Sequence, residues 1–128
     1  MTAPKPQPVR RTHYLPEDVG NYIRLSYWGT WDRVIAVEDG GRWVAVVGLT
    51  PINGAWDRED KVGDPRCHCT SPEGDLMVEA LPEKVEEAVR AHGLGWVLDA
   101  SPGDLAKRFL DDGVSDSVLE GMLRGAIS

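Results

Sequence analysis

The stretch of residues 22–49 constrains the fold more than any other part of this sequence. It contains three runs rich in valine, isoleucine, tyrosine and tryptophan, at residues 22–28, 33–38 and 42–48. These residue types suit a pleated strand. Between the second and third runs stands Asp-Gly-Gly at residues 39–41, and such glycines supply the positive φ angles that tight hairpins need. The pattern therefore predicts an antiparallel meander of three strands.

Two further short strands are predicted, at residues 66–70 and 75–81, separated by a turn that contains Pro72 and Gly74. The third strand of the meander is apolar at nearly every position, which indicates that both of its faces are covered. Two arrangements satisfy this pattern. One is an antiparallel small β-barrel of the SH3-like type, and the other is a curved five-stranded sheet with helices packed on its back. Both belong to the α+β class.

Helical signals dominate the C-terminal third, and they predict two or three α-helices. The first helix is expected from Pro82 to Gly93, and the second from Ser101, as its N-cap, to Gly113. The third is expected to begin after Ser115. Proline at a helix start, serine as N-cap and glycine just beyond the end are the usual boundary signals.

The chain divides by composition into three parts. Residues 1–16 form a flexible, proline-rich, basic arm, residues 17–81 form the β-barrel or sheet domain, and residues 82–128 form a helical part that packs on it or on a partner. Residues 94–98 are apolar, and they are interpreted as a sixth strand or an extended connector. The connection at residues 49–65 is unusually long for a structureless loop, which favours a role in binding.

Charge is distributed unevenly along the chain. The formal net charge is −7, from 21 acidic and 14 basic residues. No acidic residue precedes Glu17, whereas the arm carries Lys5, Arg10 and Arg11. An acidic body repels the phosphate backbone of nucleic acids. Contact with nucleic acid is therefore expected only through the three basic residues of the arm.

The sequence also predicts where the protein resides. It has no apolar run long enough to span a membrane and no apolar signal segment at its beginning. We therefore expect no membrane partner and a cytoplasmic location, or a virion location if a phage encodes the chain. The excess of arginine over lysine favours a GC-rich bacterial or phage genome.

One cluster resembles a metal site, namely Cys67, His68 and Cys69, with His92 as a distant fourth candidate ligand. On a strand the two cysteines point to one face and the histidine to the other. Structural zinc usually takes four converging ligands from paired spacings. A structural role is therefore favoured, in which both cysteines behave as small apolar residues. No cofactor is therefore expected, and zinc is kept only as the less favoured alternative.

The β region is rich in aromatic and arginine side chains that could form a binding surface. Trp28 and Trp31 flank a tight turn, which makes them the best candidates for exposure. The complete set of candidate binding residues is Tyr14, Arg24, Trp28, Trp31, Arg33 and Trp56. The competing interpretation is core packing, since large aromatic residues contribute much of the burial in a small domain.

No catalytic motif is present: the sequence lacks a Gly-x-Ser-x-Gly elbow, a P-loop and a His-Glu-x-x-His helix. The leading hypothesis is therefore a non-catalytic interaction module. It would be an accessory or structural subunit of a bacterial or phage assembly that binds a protein partner or itself. The alternatives are a nucleic-acid-associated regulator and a small metal-dependent enzyme.

Overall fold

The computed structural model describes residues 7–8, 12–25, 28–38, 40–56, 62–69 and 71–127. The sheet is built from six strands: β1 (Gln7–Pro8), β2 (Tyr22–Leu25), β3 (Thr30–Val37), β4 (Val44–Gly48), β5 (Pro65–His68) and β6 (Asp75–Val78). The helices are α1 (Glu83–Ala91), α2 (Gly95–Asp99), α3 (Pro102–Asp112) and α4 (Ser117–Ile127).

All strand pairs are antiparallel, and the sheet order is β1-β6-β2-β3-β4-β5. The five-stranded sheet followed by helices is therefore confirmed, with the two-residue β1 added at its edge. The closed barrel is wrong, because no ladder joins β5 to β6 in the described part of the chain. The sheet nevertheless curls strongly. His68 ends β5 and Asp75 begins β6, and their Nε2 and Oδ2 atoms lie 3.6 Å apart.

The predicted meander is present, but its middle strand begins earlier than expected. β3 starts at Thr30, so Trp31 lies within the sheet and not in the turn. A bulge between Val34 and Ala36 shifts the register against β4. Because a bulge adds one residue to one strand, Ile35 and Ala36 both reach the core on the same face.

Each face of the sheet carries its own apolar core. On one face, Ile35 and Val47 pack with Val89, Leu105 and Leu123 from the helices. The second core, on the concave face, consists of Tyr14, Ile23, Leu25, Val34, Val44, Val46 and Met77. Burial on both sides explains why β4 is apolar throughout.

The described residues contain four α-helices, where two or three were predicted. The additional one is α2, which occupies the region interpreted as a strand or connector. In α3 the predicted cap is confirmed, since Oγ of Ser101 accepts a hydrogen bond from the Asp104 amide at 3.1 Å. In α4 the cap is Asp116 and not Ser115, because Asp116 Oδ1 accepts from the Val118 amide at 2.9 Å. None of the helices in the described residues is long and apolar enough to cross a membrane.

Candidate interaction surface

One end of the sheet is formed by two loops that hold each other in place. The turn between β2 and β3 contains Trp28 and Gly29, and the short 3-10 helix Ile52–Gly54 follows β4. The Asn53 amide donates a hydrogen bond to the Trp28 carbonyl at 3.2 Å. Gly29 has a φ of 66°, and a side chain there would lie too close to the side-chain oxygen of Asn53. We call this region, Trp28–Gly29 with Ile52–Gly54, the tryptophan end.

A pocket of about 300 Å³ lies on the helix side of the tryptophan end. Its wall includes the ring of Trp56, which stacks on His92 with ring centroids 3.8 Å apart and an angle of 10° between the planes. The exposed side chains of Arg24 and Lys84 also line this pocket. The pocket therefore combines an aromatic wall with two cations, and we call it the helix-side pocket.

A second pocket, of about 210 Å³, opens on the concave face of the sheet. Apolar walls come from Leu25, Trp28 and Ile52, and polar groups come from Thr30, Arg66 and His68. The side chain of Trp28 is 49% exposed, which is unusually high for a tryptophan. We call this cavity the mouth pocket, and Trp28 stands at its rim.

Beneath the mouth pocket lies a buried ion pair. Asp32 is completely buried, and Nη2 of Arg66 lies 2.9 and 3.0 Å from its two carboxylate oxygens. Burial raises the pKa of Asp32 to about 6, although the positive charge of Arg66 partly offsets this increase. The Arg66 side chain is 38% exposed, so it joins the buried carboxylate to the pocket.

A second set of hydrogen-bonded side chains also lies beside the mouth pocket, and its three residues come from distant parts of the chain. The Tyr14 hydroxyl donates to Oδ2 of Asp75 and lies 3.3 Å from Nε2 of His68. Burial and the bond to Asp75 raise the pKa of Tyr14 above its usual range. These three residues with Asp32 and Arg66 form the polar cluster. Buried ionisable groups beside a pocket are typical of functional sites, although structural networks have the same signature.

The structure places the predicted binding residues at different depths. Trp28 is exposed at the tryptophan end, and the exposed Arg24 and half-buried Trp56 line the adjoining helix-side pocket. Trp31 is buried, which corrects the expectation of exposure, although it is among the residues that line the helix-side pocket. Tyr14 is buried in the polar cluster.

Arg33 is also a correction, because its side chain is internal. Its Nη1 donates to the Val97 carbonyl at 2.6 Å and to the carbonyl of Ala100. These carbonyls end α2, and cations stabilise the C-terminal end of a helix. Arg33 therefore fastens α2 to the sheet and is not part of a surface.

The four candidate metal ligands do not converge. Sγ of Cys67 lies 3.7 Å from Sδ of Met122 on the helix side, and burial raises the pKa of its thiol. His68 points to the concave face, Cys69 is exposed, and His92 stacks on Trp56. Among the described residues, no three histidine, cysteine or acidic side chains are arranged to hold a metal ion.

A larger groove, of about 570 Å³, runs between α4 and the end of β3. Val37, Val118 and Met122 line it, and Gly121 and Gly125 leave open space above the helix backbone. The groove contains neither an aromatic side chain nor a cation. It is therefore a less specific surface than the tryptophan end.

Sequence reasoning missed three polar residues of this surface: Asp32, Arg66 and Lys84. A signal for Arg66 was available, because Arg66 and His68 alternate with Cys67 and so share a strand face. The pairing of Arg66 with Asp32 depends on β5 crossing beside β4, which no local pattern reveals. The predicted contacts of Lys5, Arg10 and Arg11 lie outside the described residues.

Comparison with known proteins does not add to this geometry. No family profile matches the chain, and no curated protein or solved structure shows significant similarity to it. The functional argument therefore depends on the surfaces themselves.

Proposed function

We propose that this chain is a non-catalytic interaction module that binds a partner protein through the tryptophan end. It would act as an accessory or structural subunit of a bacterial or phage assembly, in the cytoplasm or in a virion. The observation that carries the proposal is the position of Trp28. Trp28 is half-exposed at the rim of the mouth pocket, and the adjoining Gly29 lines the helix-side pocket.

Residue type supports this choice of surface. Tryptophan and arginine are enriched among the residues that dominate the energy of protein interfaces, particularly where pockets surround them. Here Trp28 and Arg66 line the mouth pocket, and Trp56 and Arg24 line the helix-side pocket. Because the chain is acidic as a whole, these cations make the tryptophan end locally distinct and favour an acidic or carboxylate-bearing partner.

A matched pair of variants tests the proposal. Trp28 and Trp43 are exposed to similar extents, 49% and 39%, but Trp43 lies at the opposite end of β3, beside the β3–β4 hairpin. The immobilised protein would be used to capture partners from the source cells, with quantitative mass spectrometry of what is retained. Trp28→Ala should lose the specific partner, and Trp43→Ala should retain it.

Self-association is measured separately by size-exclusion chromatography with light scattering. A dimer that Trp28→Ala dissociates would identify a second copy as the partner. A strict monomer that captures nothing, or a partner lost with Trp43→Ala and kept with Trp28→Ala, would contradict the proposal.

A nucleic-acid-associated regulator is the second candidate. The helix-side pocket favours it, since Arg24 and Lys84 line the same pocket as Trp56, and single-stranded nucleic acids bind through cations and stacked aromatics. The net charge of −7 opposes it. Filter binding at low salt decides between the two, because a regulator should retain DNA or RNA at micromolar protein concentrations.

A further inference from the structure

We infer that the mouth pocket binds the C-terminal carboxylate of a partner chain whose last residue is apolar. The inference rests on the proposed function, because it specifies which group of the partner enters the tryptophan end. The mouth pocket has a volume of about 210 Å³, which suits one side chain with its carboxylate and not a longer segment.

The lining of the pocket matches the two parts of a terminal residue. Leu25, Trp28 and Ile52 form an apolar wall, while Arg66 and His68 provide the polar part of the same small cavity. A C-terminal residue carries its carboxylate and its side chain on the same carbon atom, so both reach these walls together. Guanidinium groups bind carboxylates strongly because the charges assist the hydrogen bonds.

The polar cluster explains why one carboxylate, and not a doubly charged phosphate, fits this pocket. Arg66 already contacts Asp32, and His68 lies 3.6 Å from Asp75. These buried carboxylates reduce the positive charge that a ligand meets, so a single negative charge is better matched. Both bonds to Asp32 come from Nη2 of Arg66, and the Arg66 side chain is 38% exposed, so other guanidinium N–H groups can donate to an incoming carboxylate.

The test uses small mimics of a chain terminus as probes. N-acetyl-leucine carries the carboxylate, and N-acetyl-leucinamide is its uncharged counterpart. N-acetylglutamic acid α-methylamide presents a carboxylate as an acidic side chain instead. Binding is followed by nuclear magnetic resonance of the Trp28 indole, which is assigned by its disappearance in Trp28→Phe. N-acetyl-leucine should shift this signal saturably, and both other probes should bind at least about tenfold more weakly.

Variants connect the binding to Arg66. Arg66→Gln alone leaves Asp32 buried without its partner and can unfold the protein. The double variant Asp32→Asn/Arg66→Gln removes both charges, so it should remain folded and lose binding of N-acetyl-leucine. Arg42→Gln, at the other end of the sheet, is the matched control and should bind as the unchanged protein does.

Four outcomes would overturn the inference: no binding of N-acetyl-leucine, equal binding of the amide, equal binding of the glutamate derivative, or unchanged binding by the folded double variant. None of these bears on partner capture that depends on Trp28. The proposed function fails if the protein captures no partner and does not self-associate, or if Trp28→Ala captures its partner as the unchanged protein does, so the two failures are distinguishable.

Discussion

The Tyr14 hydroxyl donates a hydrogen bond to the Asp75 carboxylate, joining residues 61 positions apart in the chain. Tyr14 lies between β1 and β2, and its amide also donates to the Gly41 carbonyl at 2.7 Å. Tyr14 therefore anchors the segment before β2 through two hydrogen bonds, one from its backbone and one from its side chain. This explains how a residue assigned to the arm by composition becomes part of the concave core.

Removing this hydroxyl should destabilise the fold. Tyr14→Phe leaves the buried Asp75 without its donor, so the free energy of unfolding should fall by about 1–3 kcal/mol. Urea denaturation measures the change. Tyr22→Phe removes a hydroxyl from a half-buried ring and should cost less than about 0.5 kcal/mol. Equal losses in the two variants would show that the bond to Asp75 contributes nothing specific.

Asp32 makes stability depend on pH in a defined direction. Its pKa rises from 3.8 to about 6 on burial, so the folded protein holds this proton more tightly than the unfolded chain does. The resulting stabilisation is complete at low pH and is lost as the pH rises through 6.

Relative to Asp32→Asn, which cannot ionise, the unchanged protein should lose about 2 kcal/mol of unfolding free energy between pH 4 and pH 7. Chemical denaturation at several pH values measures the difference. The same comparison with Asp111→Asn, on the exposed side of α3, should give a nearly constant difference. A constant difference for Asp32→Asn as well would contradict the raised pKa.

Arg33 should behave as a structural residue. Arg33→Met removes the donors to the Val97 and Ala100 carbonyls, so the free energy of unfolding should fall by about 2–3 kcal/mol. Arg42→Met, at an exposed arginine beside the β3–β4 hairpin, should change it by less than about 0.5 kcal/mol. If Arg33→Met were equally mild, solvent would be satisfying the α2 carbonyls and the side chain would not fasten the helix.

Two glycines should respond oppositely to alanine. Gly41 has a φ of 72°, and a side chain there would collide with the Tyr14 carbonyl. Gly41→Ala should therefore cost about 2 kcal/mol or more. Gly121 lies in α4 with nothing within 4 Å of an added methyl group, so Gly121→Ala should stabilise by about 0.5–1 kcal/mol. Thermal unfolding of both variants measures the contrast, and changes of the same sign would contradict it.

Local patterns predicted those parts of the fold that local physics controls. Alternation and the glycine turn indicated the meander of residues 22–48, and Ser101 marked the start of α3 because its hydroxyl caps a neighbouring amide. α2 was missed, since its five residues have no periodicity of their own and Arg33 binds its end from the sheet.

The candidate surface was predictable only in part. An exposed Trp28 followed from its place in a tight turn, where full burial is difficult. Trp31 occupies the next strand because pairing with β2 extends as far as Thr30, and this depends on tertiary contacts. The pairing of Asp32 with Arg66 joins the two strands on either side of β4, so it emerges only when β3, β4 and β5 are assembled.

The curl of the sheet also implies an order of events during folding. Where β5 approaches β6, Tyr14 contacts His68 and Asp75, which lie 54 and 61 residues further along the chain. Contacts between residues so far apart form slowly, because closing a long loop costs chain entropy before the contact is made. The β2–β4 hairpins can form early, whereas this corner can complete only after the last strand arrives. Amide exchange near Tyr14 should therefore report the final step of assembly.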